Sequence, residues 1–263
     1  MSQGPRTFRL TIAYDGGGYA GWQRQRSGTS IQELLENALE GLDGRPVPVL
    51  GAGRTDAGVH ALGQQASVSI ERAIDEGTLV RAVNARLPPA IRVLSAVEVR
   101  GDFHARFGAR SKSYRYRVWN HEVLSPFERG YVWHVPSPVL DREAMAAAAA
   151  LLDGRHDFAA FQAAGSGTSS TERVVYSSRV RTSADAGART DDAAGSGGPL
   201  ILYEIRGSGF LRHMVRNIVG TLVEIGRGRH PAGWVTEVLA SKDRARAGPT
   251  APPEGLFLVD VEY

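Results

Sequence analysis

The sequence contains no cysteine, which excludes disulfide bonds, thiolate zinc sites, iron–sulfur clusters and cysteine nucleophiles together. It also lacks a long apolar run: the longest, at residues 144–152, has nine residues, whereas a membrane-spanning helix needs about 20. The opening residues, MSQGPRTFRL, have no apolar signal region, so we expect a cytoplasmic protein.

Lysine is nearly absent, since only Lys112 and Lys242 occur among the 31 basic residues. A codon bias that replaces lysine with arginine would explain the composition alone. The distribution of the basic residues along the chain indicates more than a codon bias, because residues 104–117 hold five basic residues and no acidic one. Residues 205–248 hold eight basic residues against three acidic ones. Arginine grips phosphates and stacks on bases, so these clusters and the pI near 9.4 favour an RNA-binding surface.

The first half predicts the succession β-α-β-β-α-β. Residues 7–14 are typical of a strand, and Ser30 with Glu33 predicts the start of an amphipathic helix. A second helix is predicted over residues 75–87, before two prolines. We therefore predict an α+β fold in which ferredoxin-like, RNA-recognition-like βαββαβ halves have antiparallel sheets meeting at a central RNA-binding cleft.

The second half predicts a similar architecture without a residue-level repeat. Strands are predicted at residues 113–119, 131–135, 173–182, 200–206 and 256–263, and helices at 141–154, 210–226 and 234–240. In the helix at 210–226, Leu211, Val215, Ile218, Leu222 and Ile225 are predicted to form a buried apolar stripe, and Arg212 and Arg216 to lie on a neighbouring face. The small, polar stretch at residues 182–199 is typical of a flexible loop. We place the domains at residues 1–105 and 106–263.

Three places carry residues suited to chemistry. Asp56 lies in the glycine-bounded string GAGRTDAGVHALGQ, Tyr114 and Tyr116 lie on one face of a strand, and Arg216 lies beside the apolar stripe of a helix. Each also has a structural explanation: an Asx turn for Asp56, core packing for the tyrosines, and an arginine that extends to solvent. His60 is predicted to fix its loop by a hydrogen bond.

Five strings in order along the chain resemble the TruA family of tRNA pseudouridine synthases. They are YDGGGYAGWQRQ, GAGRTDAGVHALGQ, SYRYRVWN, HMVRNIVG and EGLFLVDVEY. The resemblance spans nearly the whole chain and is weakest at residues 182–199. It implies isomerisation of uridine to pseudouridine in the anticodon stem-loop of tRNA, at positions 38, 39 and 40, with neither metal nor cofactor. It also implies a homodimer with tRNA as the partner.

The resemblance also implies roles for individual residues. Asp56 would be the catalytic nucleophile or base, and Tyr114 would stack on the uracil. Arg216 would pair with the catalytic aspartate and keep it ionised. Arg54 would fill the gap left by the flipped base or hold a neighbouring phosphate, and Leu256 would form a wall of the pocket.

Two other functions fit parts of the sequence. A non-catalytic RNA-binding protein would explain the arginine clusters and a strand of exposed tyrosines, but not an acid in a basic groove. An RNA-directed N-glycosylase would use the same carboxylate and release free uracil.

Overall fold

A computed structural model describes residues 4–163, 170–182 and 200–263 of the chain, as a mixed α/β protein. Most of the predicted loop at residues 182–199 lies outside the described residues. The chain divides into two compact units: Met1–Arg110 with Phe257–Tyr263, and Ser111–Leu256. Across the described ranges, no helix combines the length and the apolar character that crossing a membrane requires.

The first unit confirms the predicted succession of elements. They are β1 (Arg6–Tyr14), α1 (Ile31–Asp43), β2 (Leu50–Gly51), β3 (His60–Ile70), α2 (Glu76–Asn84) and β4 (Ile91–Val99). Ser30 caps α1 by accepting a hydrogen bond from the Glu33 backbone N–H at 3.2 Å. Gly44 ends the helix in the left-handed conformation, with φ at 76°. The local signals thus determine both ends of α1.

The sheet of this unit has β1 at its centre. β1 pairs antiparallel with β3 on one side and with β4 on the other, and β2 pairs antiparallel with β3. Alternate residues of β1 are buried, from Phe8 to Tyr14, so one face of the strand packs in the core. The sheet therefore holds β3, and with it the loop that carries Asp56, against the central strand.

The second unit contains the strands and helices predicted before the last strand, together with one additional strand. Its elements are β5 (Ser111–Trp119), β6 (Trp133–His134), α3 (Arg142–Ala150), β7 (Gly154–Asp157), β8 (Glu172–Thr182), β9 (Leu200–Gly207), α4 (Met214–Gly226) and α5 (Trp234–Ser241). The sheet order is β5-β9-β8-β7. The short strand β6 lies within the strand predicted at residues 131–135, whereas β7 was not predicted.

Two pairings correct the prediction of purely antiparallel sheets. β6 pairs parallel with β5. The last strand, β10 (Leu256–Glu262), pairs parallel with β3 through Phe257 opposite His60 and Leu258 opposite Ala61. The carboxyl-terminal strand therefore lies beside a strand that is almost 200 residues away in the sequence.

Helix α4 begins four residues later than its apolar periodicity predicts. His213 precedes it in the left-handed conformation, with φ at 61°, and Arg212 lies in the turn before the helix. The prediction that Arg212 and Arg216 share a helix face is therefore wrong. The part of the predicted buried stripe that lies in α4 is confirmed, because Val215, Ile218, Leu222 and Ile225 are all buried. Leu211 is buried as well, but it lies in the turn before the helix.

Candidate active site

Asp56 lies on the connection between β2 and β3, which we call the Asp56 loop (residues 51–60). The side chain is half-buried, and the backbone carbonyl of Asp56 accepts a hydrogen bond from the N–H of Val59 at 3.2 Å. This bond closes a turn in which Gly58 has φ at 78°, a conformation that favours glycine. The turn fixes the backbone of the residues that directly follow Asp56.

Glycines bring a second loop, residues 15–22, into backbone contact with the Asp56 loop. A β-carbon at Gly21 would lie 2.6 Å from the carbonyl oxygen of Thr55, and one at Gly16 would lie 2.0 Å from that of Val59. At Gly51, a β-carbon would lie 2.5 Å from the indole of Trp22. These contacts give a structural reason for the small side chains around Asp56: the two loops pack without room for β-carbons.

Two buried polar side chains, those of Tyr14 and Gln64, form hydrogen bonds with the Asp56 loop. The Tyr14 hydroxyl and Thr55 Oγ1 are 2.8 Å apart, and Gln64 Nε2 donates to the Gly53 carbonyl at 2.8 Å. Burial raises the pKa of Tyr14 to about 12. Because Thr55 directly precedes Asp56, this hydrogen-bond network constrains the backbone position from which the Asp56 side chain extends.

His60 anchors the other end of the loop, as predicted. Its Nδ1 accepts a hydrogen bond from the backbone N–H of Gly16 at 3.1 Å, and its ring stacks on Phe257 at 4.6 Å between centroids. Asp15 Oδ1 also lies 3.1 Å from Nδ1. An ion pair with Asp15 would need a proton on His60 Nδ1. Because Nδ1 accepts the hydrogen bond from the Gly16 N–H, we describe this contact as that hydrogen bond.

Arg54 is exposed on the same loop as Asp56. Its Nε donates to Gln23 Oε1 at 3.1 Å, so its side chain is directed by the neighbouring loop. An exposed guanidinium of this kind can reach phosphate or a base without first breaking a buried contact.

The two tyrosines of β5 both point into the core of the second unit. Tyr114 is 8% exposed and meets Phe210 edge-on at 5.1 Å between ring centroids. Tyr116 is fully buried and its hydroxyl donates to the Pro252 carbonyl at 2.7 Å. Burial raises the pKa of Tyr116 above its usual value. The predicted shared face is confirmed, and it is a buried face.

Arg216 lies in the first turn of α4 and holds the chain segment that passes over it. Its Nε donates to the Ala251 carbonyl at 2.7 Å, and its own carbonyl accepts from the Ala251 N–H at 3.1 Å. We call residues 248–252 the crossing segment. Its path is so close to α4 that a β-carbon at Gly220 would lie 1.6 Å from the Pro249 carbonyl oxygen.

Asn217 is a structural residue of this site that sequence reasoning missed. It is fully buried and its Oδ1 accepts from Thr250 Oγ1 at 2.7 Å and from Arg244 Nη2 at 3.1 Å. Its Nδ2 donates to the Phe161 carbonyl at 2.8 Å. The available signal was an asparagine in a nearly all-apolar helix, because a buried amide needs several partners.

Leu256 is 6% exposed and begins β10 directly after the crossing segment and a short 3₁₀ turn. The preceding Gly255 packs on the Tyr116 ring, where a β-carbon would lie 2.7 Å from the nearest ring atom. Of the predicted site residues, Arg54 and Asp56 share one loop of the first unit. Tyr114, Arg216 and Leu256 belong to the second unit.

The chemistry available from these residues is that of one carboxylate, arginines and tyrosines. In residues 4–163, 170–182 and 200–263, no group of three or more histidine, aspartate or glutamate side chains has the arrangement to hold a metal ion. A carboxylate can act as nucleophile or base at a sugar carbon, and arginines can hold phosphates.

Comparison with known proteins extends the sequence resemblance. A family model described as tRNA pseudouridine synthase matches residues 10–108 and 148–263. tRNA pseudouridine synthase A of Myxococcus xanthus is 49% identical over 256 residues, which cover 97% of this chain and 91% of that protein. The proteins of the same name from Solibacter usitatus and Moorella thermoacetica are 48% and 46% identical, covering 98% and 97% of this chain and 100% and 99% of their own lengths.

Proposed function

The chain belongs to the tRNA pseudouridine synthase family, and we propose on this premise that it isomerises uridine to pseudouridine in the anticodon stem-loop of tRNA. The observation that carries the proposal is the relatedness of almost the entire chain, including the Asp56 loop, to proteins of that name. The chain is accordingly an isomerase, and tRNA is its substrate.

The reaction leaves the composition of the RNA unchanged. The bond from ribose C1′ to uracil N1 breaks, the base turns, and a new bond joins C1′ to C5. The proton on C5 is lost and N1 gains one, so atoms and electrons balance without an oxidant or reductant. The target base must first leave its stack, which costs a few kcal/mol.

Asp56 is our candidate for the residue that acts on the sugar or base. A carboxylate can add as a nucleophile, stabilise positive character at C1′, or take a proton from C2′. The rigid setting of the loop supports this role, since catalysis needs a reacting group held within a fraction of an ångström. Gly21 and Thr55 supply that rigidity through their close backbone contact.

The second unit supplies our other candidates. We propose that Tyr114 stacks on the uracil and that Arg216 favours the ionised form of Asp56 by its charge. Only 8% of the Tyr114 surface is exposed, so stacking requires Phe210 or the Tyr114 ring to move when RNA binds. We propose that Leu256 forms a wall of the pocket. We propose that Arg54 fills the gap left by the flipped base or contacts a neighbouring phosphate.

The arrangement of the protein follows the same proposal. We propose that both units are ferredoxin-like halves, the first carrying the catalytic loop and the second the pocket tyrosine and arginine. The succession of elements and the sheet order β4-β1-β3 in the first unit support this. We also propose that the protein is a homodimer and works in the cytoplasm, where tRNA is available.

Mass spectrometry of treated tRNA tests the proposal against its two alternatives. Isomerisation leaves the RNA mass unchanged and creates a residue that forms a pseudouridine-specific adduct. An N-glycosylase lowers the mass by releasing uracil, and a non-catalytic binder leaves uridine as it was. A mass loss, or unchanged uridine at enzyme excess, would contradict the proposed function. The burial of Tyr114 and Tyr116 already disfavours the exposed-tyrosine binder.

A further inference from the structure

Phe107 is an exposed aromatic residue that none of the roles above explains. It is 77% exposed, on the turn formed by residues 104–108 in the first unit. A single exposed apolar residue is common on protein surfaces, so exposure alone carries no conclusion. The rigidity and the charge of its surroundings distinguish Phe107.

The turn that carries Phe107 is fixed by four hydrogen bonds. The Gly108 N–H donates to the His104 carbonyl at 2.9 Å, and the Arg106 N–H donates to His104 Nδ1 at 3.1 Å. Ala105 is held on both sides: its N–H donates to Ser67 Oγ at 3.2 Å, and its carbonyl accepts from the Tyr263 hydroxyl at 2.8 Å. Phe107 is therefore displayed to solvent on a constrained backbone.

The surroundings of Phe107 are cationic and aromatic. The His104 ring lies 4.4 Å from the Phe107 ring, and Arg106 Cζ lies 5.6 Å from the Phe107 centroid. Arg110 is exposed a few residues further on. Between Asp102 and Glu122 the sequence has no acidic residue. An aromatic ring flanked by arginines is the combination that binds single-stranded nucleic acid, by base stacking and phosphate contact.

Phe127 provides an internal comparison. It is even more exposed, at 88%, but the next residue is Glu128, whose carboxylate pairs with Arg117 at 2.8 Å. Because Glu128 and Arg117 neutralise each other, this pair adds no attraction for phosphate. The chain thus displays two phenylalanines, of which one has surroundings that favour RNA.

We propose that Phe107 stacks on an unpaired nucleotide of the tRNA substrate, away from the reacting uridine, while Arg106 contacts an adjacent phosphate. This inference rests on the proposed function for the identity of the RNA. It adds a substrate-binding residue outside the candidate active site. A second protein copy is the alternative occupant, and the run of positive charge disfavours it because two copies would bring like charges together.

Binding of the full-length protein to an unmodified tRNA transcript tests this proposal. Phe107→Ala should raise Kd by about 5-fold to 150-fold, the range that one base–aromatic stack represents. Phe107→Trp should restore binding, and tRNA should quench its fluorescence more than that of wild type, which already contains four tryptophans. Phe107→Leu should not restore it, because leucine has no π-face. Phe127→Ala is the matched control and should leave Kd unchanged.

A fully paired RNA duplex gives a further control, because it offers no free base face. Wild type and Phe107→Ala should bind it equally. Equal tRNA affinity of these two proteins, or rescue by leucine as good as by tryptophan, would overturn the stacking proposal. A change in sedimentation with unchanged tRNA affinity would show a protein contact instead. If wild type binds tRNA through Phe107 but forms no pseudouridine, the proposed function fails while this inference stands.

Discussion

The Asp56 loop and the crossing segment are both irregular stretches of chain, but they are held in different ways. The Asp56 loop packs backbone against backbone on the residues around Gly21, with the Tyr14 hydroxyl below it. The crossing segment is held by helix α4, through Asn217 and the absence of a side chain at Gly220. In the first, the candidate acid lies on the loop itself; in the second, Arg216 lies on the helix that grips the segment.

This difference teaches where a substitution should affect chemistry and where it should affect folding. The Asp56 side chain is half-buried, and the described contacts of its loop with Gly21, Tyr14 and Gln64 are made by Thr55 and Gly53. Removing the carboxylate should therefore leave these contacts in place. Arg216 both binds the Ala251 carbonyl and is a candidate site residue, so its removal should change stability and activity together.

Asp56→Ala separates the effect on chemistry from the effect on folding, and it should produce the largest change in activity. We expect pseudouridine formation to fall by more than about 10³-fold, because the reaction loses its only proposed nucleophile or base. Tm and tRNA affinity should stay close to those of wild type. Asp102→Ala is the matched control, since that aspartate pairs only at the surface with Arg100. Full activity of Asp56→Ala would refute the role assigned to this residue.

Gly220→Ala tests how tightly the crossing segment passes over α4. The added β-carbon would lie 1.6 Å from the Pro249 carbonyl oxygen, so the segment or the helix must shift. We expect a loss of about 3 kcal/mol or more in the free energy of unfolding, measured by urea denaturation. Gly233→Ala has open space around its β-carbon and should change stability by less than about 0.5 kcal/mol. Equal stability of the two variants would contradict the described packing.

Gly21→Ala makes the corresponding change beneath the Asp56 loop. Gly21 has φ at 93°, and its β-carbon would lie 2.6 Å from the Thr55 carbonyl oxygen. We expect about 2 kcal/mol of destabilisation and a lower kcat, because the loop that carries Asp56 must move. Gly18→Ala, with no atom within 4 Å of the new β-carbon, is the control. A Gly21→Ala protein with wild-type kcat would show that the loop's position is not critical.

Tyr14→Phe should have the smallest effect and a distinct pH dependence. Losing the bond to Thr55 should cost about 1 kcal/mol at neutral pH. Burial raises the pKa of Tyr14 from 10.0 to about 12, so its protonated form stabilises the fold fully below pH 10. That contribution is lost as pH rises through 12. Between these values the variant should lose stability less steeply than wild type; identical slopes in urea titrations would contradict this.

Local sequence signals predicted much of the fold because they act over a few residues. Ser30, Glu33 and the apolar stripe are sufficient to define α1. The strand β7, with sequence GRHD, has no such signal and forms because it pairs with β8. The parallel pairing of β10 with β3 joins distant parts of the chain, so no local pattern could predict it.

The candidate site was predictable to a different degree. The residues came from the resemblance of whole strings to a known family, and their roles remain predictions. The contacts that hold these residues in place could not be predicted from the sequence strings. The contact of Gly21 with Thr55 and the three partners of Asn217 depend on loops that meet only in the folded chain.

The most direct test of the central claim uses tRNA carrying tritium at C5 of uridine. If the protein breaks C1′–N1 and rejoins the base through C5, it should release one tritium to water for each pseudouridine formed, with no free uracil. The same assay with Asp56→Ala should show neither tritium release nor pseudouridine. Pseudouridine that forms without release of tritium to water, free uracil, or wild-type release by Asp56→Ala would contradict the account.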